Sequence, residues 1–235
     1  METKVSFTIS RIADYGTGNP ILARLNVQTF AILDHCEIRQ EDADAVKLIY
    51  MESLTKKLVR CYEIAQRFQA EFVNEMETYR RRPKQNPMMV EIPHIVRLEE
   101  ECHNFLYEAK NFVRDFLKAF NILYGATFAE ASNYFRPATP KNGKQSLIWY
   151  AETTFGPNDP KTERFKDMVE TVERVVDYRN AVEHPEGHSG TLKIRNSGWI
   201  RALADEFKDS RPNMSTEGFG PNKFAPVKVP RRSRK

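Results

Sequence analysis

A short stretch near residue 180 combines residue types that can bind a phosphate group and move a proton. Arg179 is followed directly by Asn180, and His184 lies five positions after the arginine. An arginine can hold two oxygens of a phosphate at once through paired hydrogen bonds. A histidine exchanges protons near neutral pH and can act as a general base or acid. These three residues are therefore the candidate catalytic residues of the chain, with Asn180 expected to orient the substrate or the histidine.

Arg179 stands where the surrounding helical pattern calls for an apolar residue. The apolar positions before it are spaced three, four and three residues apart, at Phe165, Met168, Val172 and Val175. Burying a guanidinium alone is costly, so we expect a carboxylate, a phosphate or a subunit interface to meet it. Pro185 and Gly187 predict that the helix ends near Glu183, which lets His184 fold back toward Arg179.

Two long amphipathic helices are predicted earlier in the chain, over residues 41–82 and from just after Pro93 to Gly125. Their apolar stripes include Leu54, Leu58, Cys61, Ala65, Phe68 and Phe72 in the first and Ile95, Leu98, Cys102, Phe105, Phe112 and Phe116 in the second. The short connection between them, rich in proline and arginine, favours antiparallel packing. Further helices are predicted over residues 144–154, 161–183 and 199–207, where Trp199 is expected to seat the last helix on the bundle or to stack on RNA.

The predicted fold class is mainly α, an up-and-down four-helix bundle with a small N-terminal β appendage. Residues 1–40 form the appendage, because Val5, Phe7 and Ile9 alternate with polar residues and Leu25, Val27 and Thr29 do so less cleanly. Residues 41–208 form the bundle. Residues 209–235 form a basic tail whose proline-rich composition is typical of disorder.

The motif formed by Arg179, Asn180 and His184, at the end of a bundle helix, resembles the signature of the HEPN superfamily. That signature is an arginine, four to six residues, and a histidine, with a polar residue directly after the arginine. The resemblance implies a four-helix bundle that dimerises so that two motifs face one cleft, here through the face that carries Arg179. Many such domains are metal-independent endoribonucleases of toxin–antitoxin and defence systems, and others have lost activity and serve as binding or assembly modules.

For a nuclease, the residue types indicate how RNA would be cut. The 2′-hydroxyl of RNA is the nucleophile, so a base must remove its proton and an acid must protonate the leaving 5′-oxygen. His184 would transfer a proton and Arg179 would hold the phosphate, leaving a 2′,3′-cyclic phosphate. The alternative is a catalytically silent bundle in which Arg179 is an ion-pair partner and His184 caps the helix. Under either hypothesis a cognate antitoxin or another protein partner is expected.

Other patterns in the chain are weaker. Arg97 and His103 also fit the spacing, but this match lies within a helix, off its apolar stripe, and is interpreted as coincidence. Glu100 and His103 could form one half of a di-iron site. Such a site needs a second pair of this kind, and Glu100 and His103 are the one pair that falls on a predicted helix. Neither a metal nor a cofactor is predicted.

Net charge and composition indicate the partners and the cellular location to expect. The chain has a net charge of +4, and the residues from Arg211 onward carry seven basic side chains and one acidic one, which leaves −2 on the rest. The tail could therefore add salt-sensitive attraction to phosphate. Three scattered cysteines, no apolar stretch long enough to cross a bilayer and no signal-peptide pattern predict a cytoplasmic protein.

Overall fold

The computed structural model describes residues 19–81, 94–136 and 146–194, and this part of the chain is mainly helical with no strand. Helix α1 is a continuous helical run made of Pro20–Leu22, Ala23–Gln28 and Thr29–Leu33, of which the middle part is a π-helix. Asn19 caps its start by accepting a hydrogen bond from the backbone N–H of Ile21 at 2.8 Å. Proline is favoured at the first helical position.

The predicted strand around Leu25, Val27 and Thr29 is therefore wrong. The segment also carries a helical period. Its covered positions are spaced four, three and four residues apart, and each is buried or half-buried: Leu22, Asn26, Thr29 and Leu33. Leu33 is buried in a cluster with Val46 and Ala119. Burial of this face against the bundle outweighed a short alternation of apolar residues. The predicted strand at Val5, Phe7 and Ile9 lies outside the described residues.

The two long helices match their predicted extents closely. Helix α2 runs through Gln40–Ile49, Tyr50–Leu54 and Thr55–Arg81, with a π-helical turn in the middle that the sequence pattern did not indicate. Helix α3 is Leu98–Tyr124. It begins four residues later than expected because Arg97 is in the left-handed region, and Gly125 ends it in the same conformation with φ +64°.

Cross-helix contacts confirm that α2 and α3 pack antiparallel. Lys57, early in α2, pairs with Asp115 in the second half of α3, whereas Arg67, further along α2, pairs with Glu101 near the start of α3. A residue later in α2 thus meets a residue earlier in α3, which is the antiparallel arrangement.

Three shorter helices complete the described fold: α4 is Leu147–Thr154, α5 is Pro160–Asp167 and α6 is Val169–Glu183. A 3-10 turn at Ala131–Tyr134 precedes them. The single helix predicted over 161–183 is broken at Met168, which is exposed. The helix predicted over 199–207 and the tail over 209–235 lie outside the described residues.

Helix α3 lies at the centre of the main core. Its buried residues Val113, Leu117 and Phe120 pack with Val172 and Val176 of α6. The rest of this cluster includes Phe128, Ala131, Tyr134 and Leu147. Helix α6 is thereby fixed along one side of α3, and this packing sets where the end of α6 lies. In the described part of the chain, none of the helices has the combined length and apolarity that crossing a membrane requires.

Candidate functional site

Arg179 lies four residues before the end of α6, and its side chain is only 15% exposed. Its Nη2 is 2.9 Å from Oε1 of Glu183, one helical turn further on. Its Cζ lies 5.4 Å from the ring centroid of Tyr107 on α3, a cation–π distance. The Nε is buried and has no hydrogen-bond partner among the described residues. The expected carboxylate is therefore supplied by the same helix, and one guanidinium donor is left without a protein acceptor there.

Lys110 of α3 joins the motif to the neighbouring helix. Its Nζ donates to Oδ1 of Asn180 and to Oε2 of Glu183, both at 3.0 Å. Burial alone raises the pKa of Glu183, but the hydrogen bond from Lys110 and the charges of Lys110, Arg179 and His184 lower that pKa below its usual value. Glu183 is thus held as a carboxylate between two cations.

Helix α6 ends at Glu183, as predicted, and His184 is the residue directly after it. Its backbone N–H donates to the carbonyl of Asn180 at 2.8 Å, and its own carbonyl accepts from the N–H of Gly187 at 2.8 Å. A Cβ added at Gly187 would lie 3.0 Å from both the Cβ and the carbonyl oxygen of His184, so the tight turn suits a glycine. The His184 side chain is exposed. The imidazole is therefore at the surface, near enough to Glu183 for its charge to lower the pKa of that carboxyl.

Because the predicted helix is broken at Met168, the buried positions before Arg179 differ from the predicted apolar stripe. The buried residues of α6 are Val172, Val176 and Ala181, and Val175 is only half-buried. Arg179 consequently lies at the edge of the packed face, where its guanidinium lies over the Tyr107 ring and pairs with Glu183.

Sequence reasoning did not identify Tyr107, Lys110 or Glu183 as parts of this cluster. Glu183 carried a local signal, because it is four residues after Arg179 on one helix and opposite charges at that spacing pair. No local pattern indicated Tyr107 or Lys110, since their position beside Arg179 and Asn180 depends on how α3 and α6 pack.

The weaker motif matches remain apart from this cluster. Arg97 directly precedes α3, is exposed, and is 4.0 Å from Glu100. Within the part of the chain that the structure describes, no group of three or more histidine, cysteine, aspartate or glutamate residues is arranged to hold a metal ion.

A second charged cluster lies further along α3. Asp115 is 6% exposed and forms ion pairs at 2.8 Å with Lys57 of α2 and with Lys118. The Ser53 hydroxyl, in the π-helical turn of α2, also donates to this carboxylate. Burial alone raises the pKa of Asp115, but the hydrogen bonds from Lys118, Lys57 and Ser53 outweigh it and hold the pKa far below its usual value. This cluster fastens α2 to α3.

Comparison of the chain with protein-family models, with curated proteins and with solved structures found no match. The resemblance to the HEPN superfamily therefore rests on Arg179, Asn180 and His184 and on the helical layout.

Proposed function

We propose that this protein is a metal-independent endoribonuclease of the HEPN type, in which Arg179, Asn180 and His184 act on RNA. The observation that supports this most directly is the end of α6. An exposed histidine lies five residues after Arg179, whose Nε has no hydrogen-bond partner among the described residues, and Lys110 adds a second cation beside Glu183. Two cations around one carboxylate leave a net positive cluster, which suits a phosphate.

Each residue has a distinct part in the proposed reaction. The 2′-oxygen of RNA attacks the adjacent phosphorus and loses its proton to a histidine, while the bond from phosphorus to the 5′-oxygen breaks. That oxygen takes a proton from an acid, and the products are a 2′,3′-cyclic phosphate and a 5′-hydroxyl. Arg179 and Lys110 bind the phosphate oxygens, and Asn180, held by Lys110, orients the substrate.

We further propose that the active form is a homodimer joined through the face that carries Arg179. Proton removal and proton donation need two groups, and two copies of His184 would supply one each. The part of the Arg179 side chain that remains exposed would then be covered by the second copy. A role as a toxin or defence component, with a cognate antitoxin, follows from the same resemblance.

The test is cleavage of a mixed RNA pool by the purified full chain in excess EDTA, with analysis of the product ends. We expect cyclic-phosphate ends from the wild type and none from His184→Ala or Arg179→Ala. Two variants serve as matched controls: His188→Ala removes an exposed histidine of the same loop, and Arg174→Ala removes an arginine paired four residues away on the same helix. Both should cleave like the wild type. Intact RNA with the wild type, or equal cleavage by His184→Ala, would overturn the proposal.

The second candidate is a catalytically inactive bundle that acts as a protein-binding or assembly module. It is favoured by the contacts of Arg179, whose charge is already met by Glu183 and Tyr107 within the chain. Under this hypothesis the wild type leaves RNA intact, and Arg179→Ala changes stability but no reaction.

A further inference from the structure

A long apolar groove lies between α2, α3 and the segment that follows α6. Its cavity volume is about 640 Å³, and its lining includes Ala65, Phe68, Cys102, Phe105, Tyr178 and Ile194. Tyr178 is the residue before Arg179, so the groove begins directly behind the candidate site. This feature plays no part in the proposed cleavage of RNA.

The groove is formed by apolar stripes that the two long helices do not bury against each other. Ala65 of α2 is exposed and Phe68 is half-buried, although both continue the stripe that is buried at Leu54 and Cys61. On α3 the stripe is likewise only half-buried at Cys102 and Phe105. Contiguous apolar surface of this kind marks a place where another apolar element packs.

The chain itself leads out of this groove. Leu192 and Ile194 line it, and Ile194 is the last described residue before the chain continues to Lys235. The continuation has an amphipathic pattern. At 100° per residue, Trp199, Leu203, Phe207 and Ile200 fall within about 100° of a helical wheel, while Arg201, Asp205 and Lys208 fall on the opposite side.

We propose that residues 199–207 of the same chain dock as an amphipathic helix in the groove between α2 and α3, with Trp199 and Leu203 against Phe68 and Cys102. Tyr178 is then covered on the side away from Arg179, and the segment from His184 to Ile194 is held at both ends. The groove is thus the binding surface for the helix of residues 199–207.

The short connection favours the chain's own segment over a second copy. From Ile194 to Trp199 the chain can span at most roughly 17 Å, so Trp199 cannot leave the neighbourhood of the groove. A short tether of this kind gives an effective concentration on the order of millimolar. A segment from another molecule competes only at similar protein concentrations.

Fluorescence of Trp199 in the full chain tests the docking. The protein has two tryptophans, and Trp149→Phe leaves Trp199 as the sole reporter. We expect blue-shifted emission and several-fold weaker acrylamide quenching than in urea. Adding Ala65→Glu, which places a charge in the groove at an exposed helix position, should restore strong quenching, whereas Ala70→Glu, exposed on the same helix outside the groove, should not.

Docking is overturned if Trp199 in the folded protein is quenched as in urea, including the case in which RNA alone protects it, or if Ala65→Glu and Ala70→Glu behave alike.

Cross-linking identifies which copy occupies the groove. Cys102 supplies a thiol in the groove, so Leu203→Cys in a Cys36→Ser background can form a disulfide with it. We expect an oxidised monomer that migrates faster without reductant, and no such species from the control Ser215→Cys. A disulfide-linked dimer in place of the fast monomer would overturn the assignment to the same chain. None of these results depends on RNA cleavage, so they are independent of the proposed activity.

Discussion

Replacement of Arg179 by alanine measures how the guanidinium is held. The substitution removes the ion pair to Glu183, which for a partly exposed pair one turn apart is worth about 0.3–1 kcal/mol. It also removes the cation–π contact with Tyr107, worth about 0.5–1 kcal/mol. Glu183 keeps Lys110 as a partner at 3.0 Å, so no carboxylate is left stranded. The expected loss in the free energy of unfolding is about 1–2 kcal/mol, well below the roughly 3–5 kcal/mol of a broken buried pair.

Urea unfolding followed by far-UV circular dichroism at pH 7 provides the measurement, with the slope of the transition unchanged. Arg174→Ala is the matched control, because Arg174 pairs with Glu170 at the same spacing but both side chains are largely exposed. It should cost under about 0.5 kcal/mol. The double variant Arg179→Ala with Glu183→Ala should lose less than the sum of its single variants, since the two side chains contact each other.

Two results would refute this reasoning. A loss of about 3 kcal/mol or more, the order expected for a stranded buried charge, would mean that Lys110 does not compensate Glu183. A loss no larger than that of Arg174→Ala would mean that neither Tyr107 nor Glu183 stabilises the arginine. The outcome also decides how RNA-cleavage data are interpreted, because a variant that remains folded can lose activity only through the site or through the dimer contact proposed at the same face.

Three further predictions concern the scaffold. The pKa of Asp115 is lower in the folded protein than in the unfolded chain, so its stabilisation is complete above the unfolded value of about 4 and is lost as the pH falls through the folded value. Unfolding free energies measured from pH 5 to pH 2 should therefore fall less steeply in Asp115→Asn than in the wild type, and parallel curves would contradict this. Gly125→Ala should lower stability by about 1 kcal/mol in thermal unfolding, because alanine is strained at φ +64° although nothing lies within 4 Å of the added Cβ; an unchanged melting temperature would argue otherwise. Burial, with the charge of Glu108, raises the pKa of Cys61 to about 11. In a thiol titration at pH 8 the exposed Cys36 should react at once and Cys61 only after unfolding, and immediate reaction of Cys61 would show that this part of α2 is open.

The sequence predicted the helices best where their boundaries depend on local chemistry. Gly125 ends α3 because glycine tolerates the left-handed conformation, and Pro185 ends α6 because it disfavours helical geometry in the residue before it. The long apolar periods of α2 and α3 also predicted helices correctly, since burying such a stripe is the main source of helix stability in a protein. Where a pattern was short, as at Leu25, Val27 and Thr29, packing against the bundle decided in favour of helix.

The sequence by itself determined that an arginine, an asparagine and a histidine would stand at the end of a helix, because these positions follow from spacing and from Pro185. Only the tertiary structure decided what meets them. Tyr107 and Lys110 are about seventy residues away in the chain, on the flank of α3, and the register of α3 against α6 brings them to Arg179 and Asn180. That register is set by side-chain packing in the shared core, which no local pattern contains.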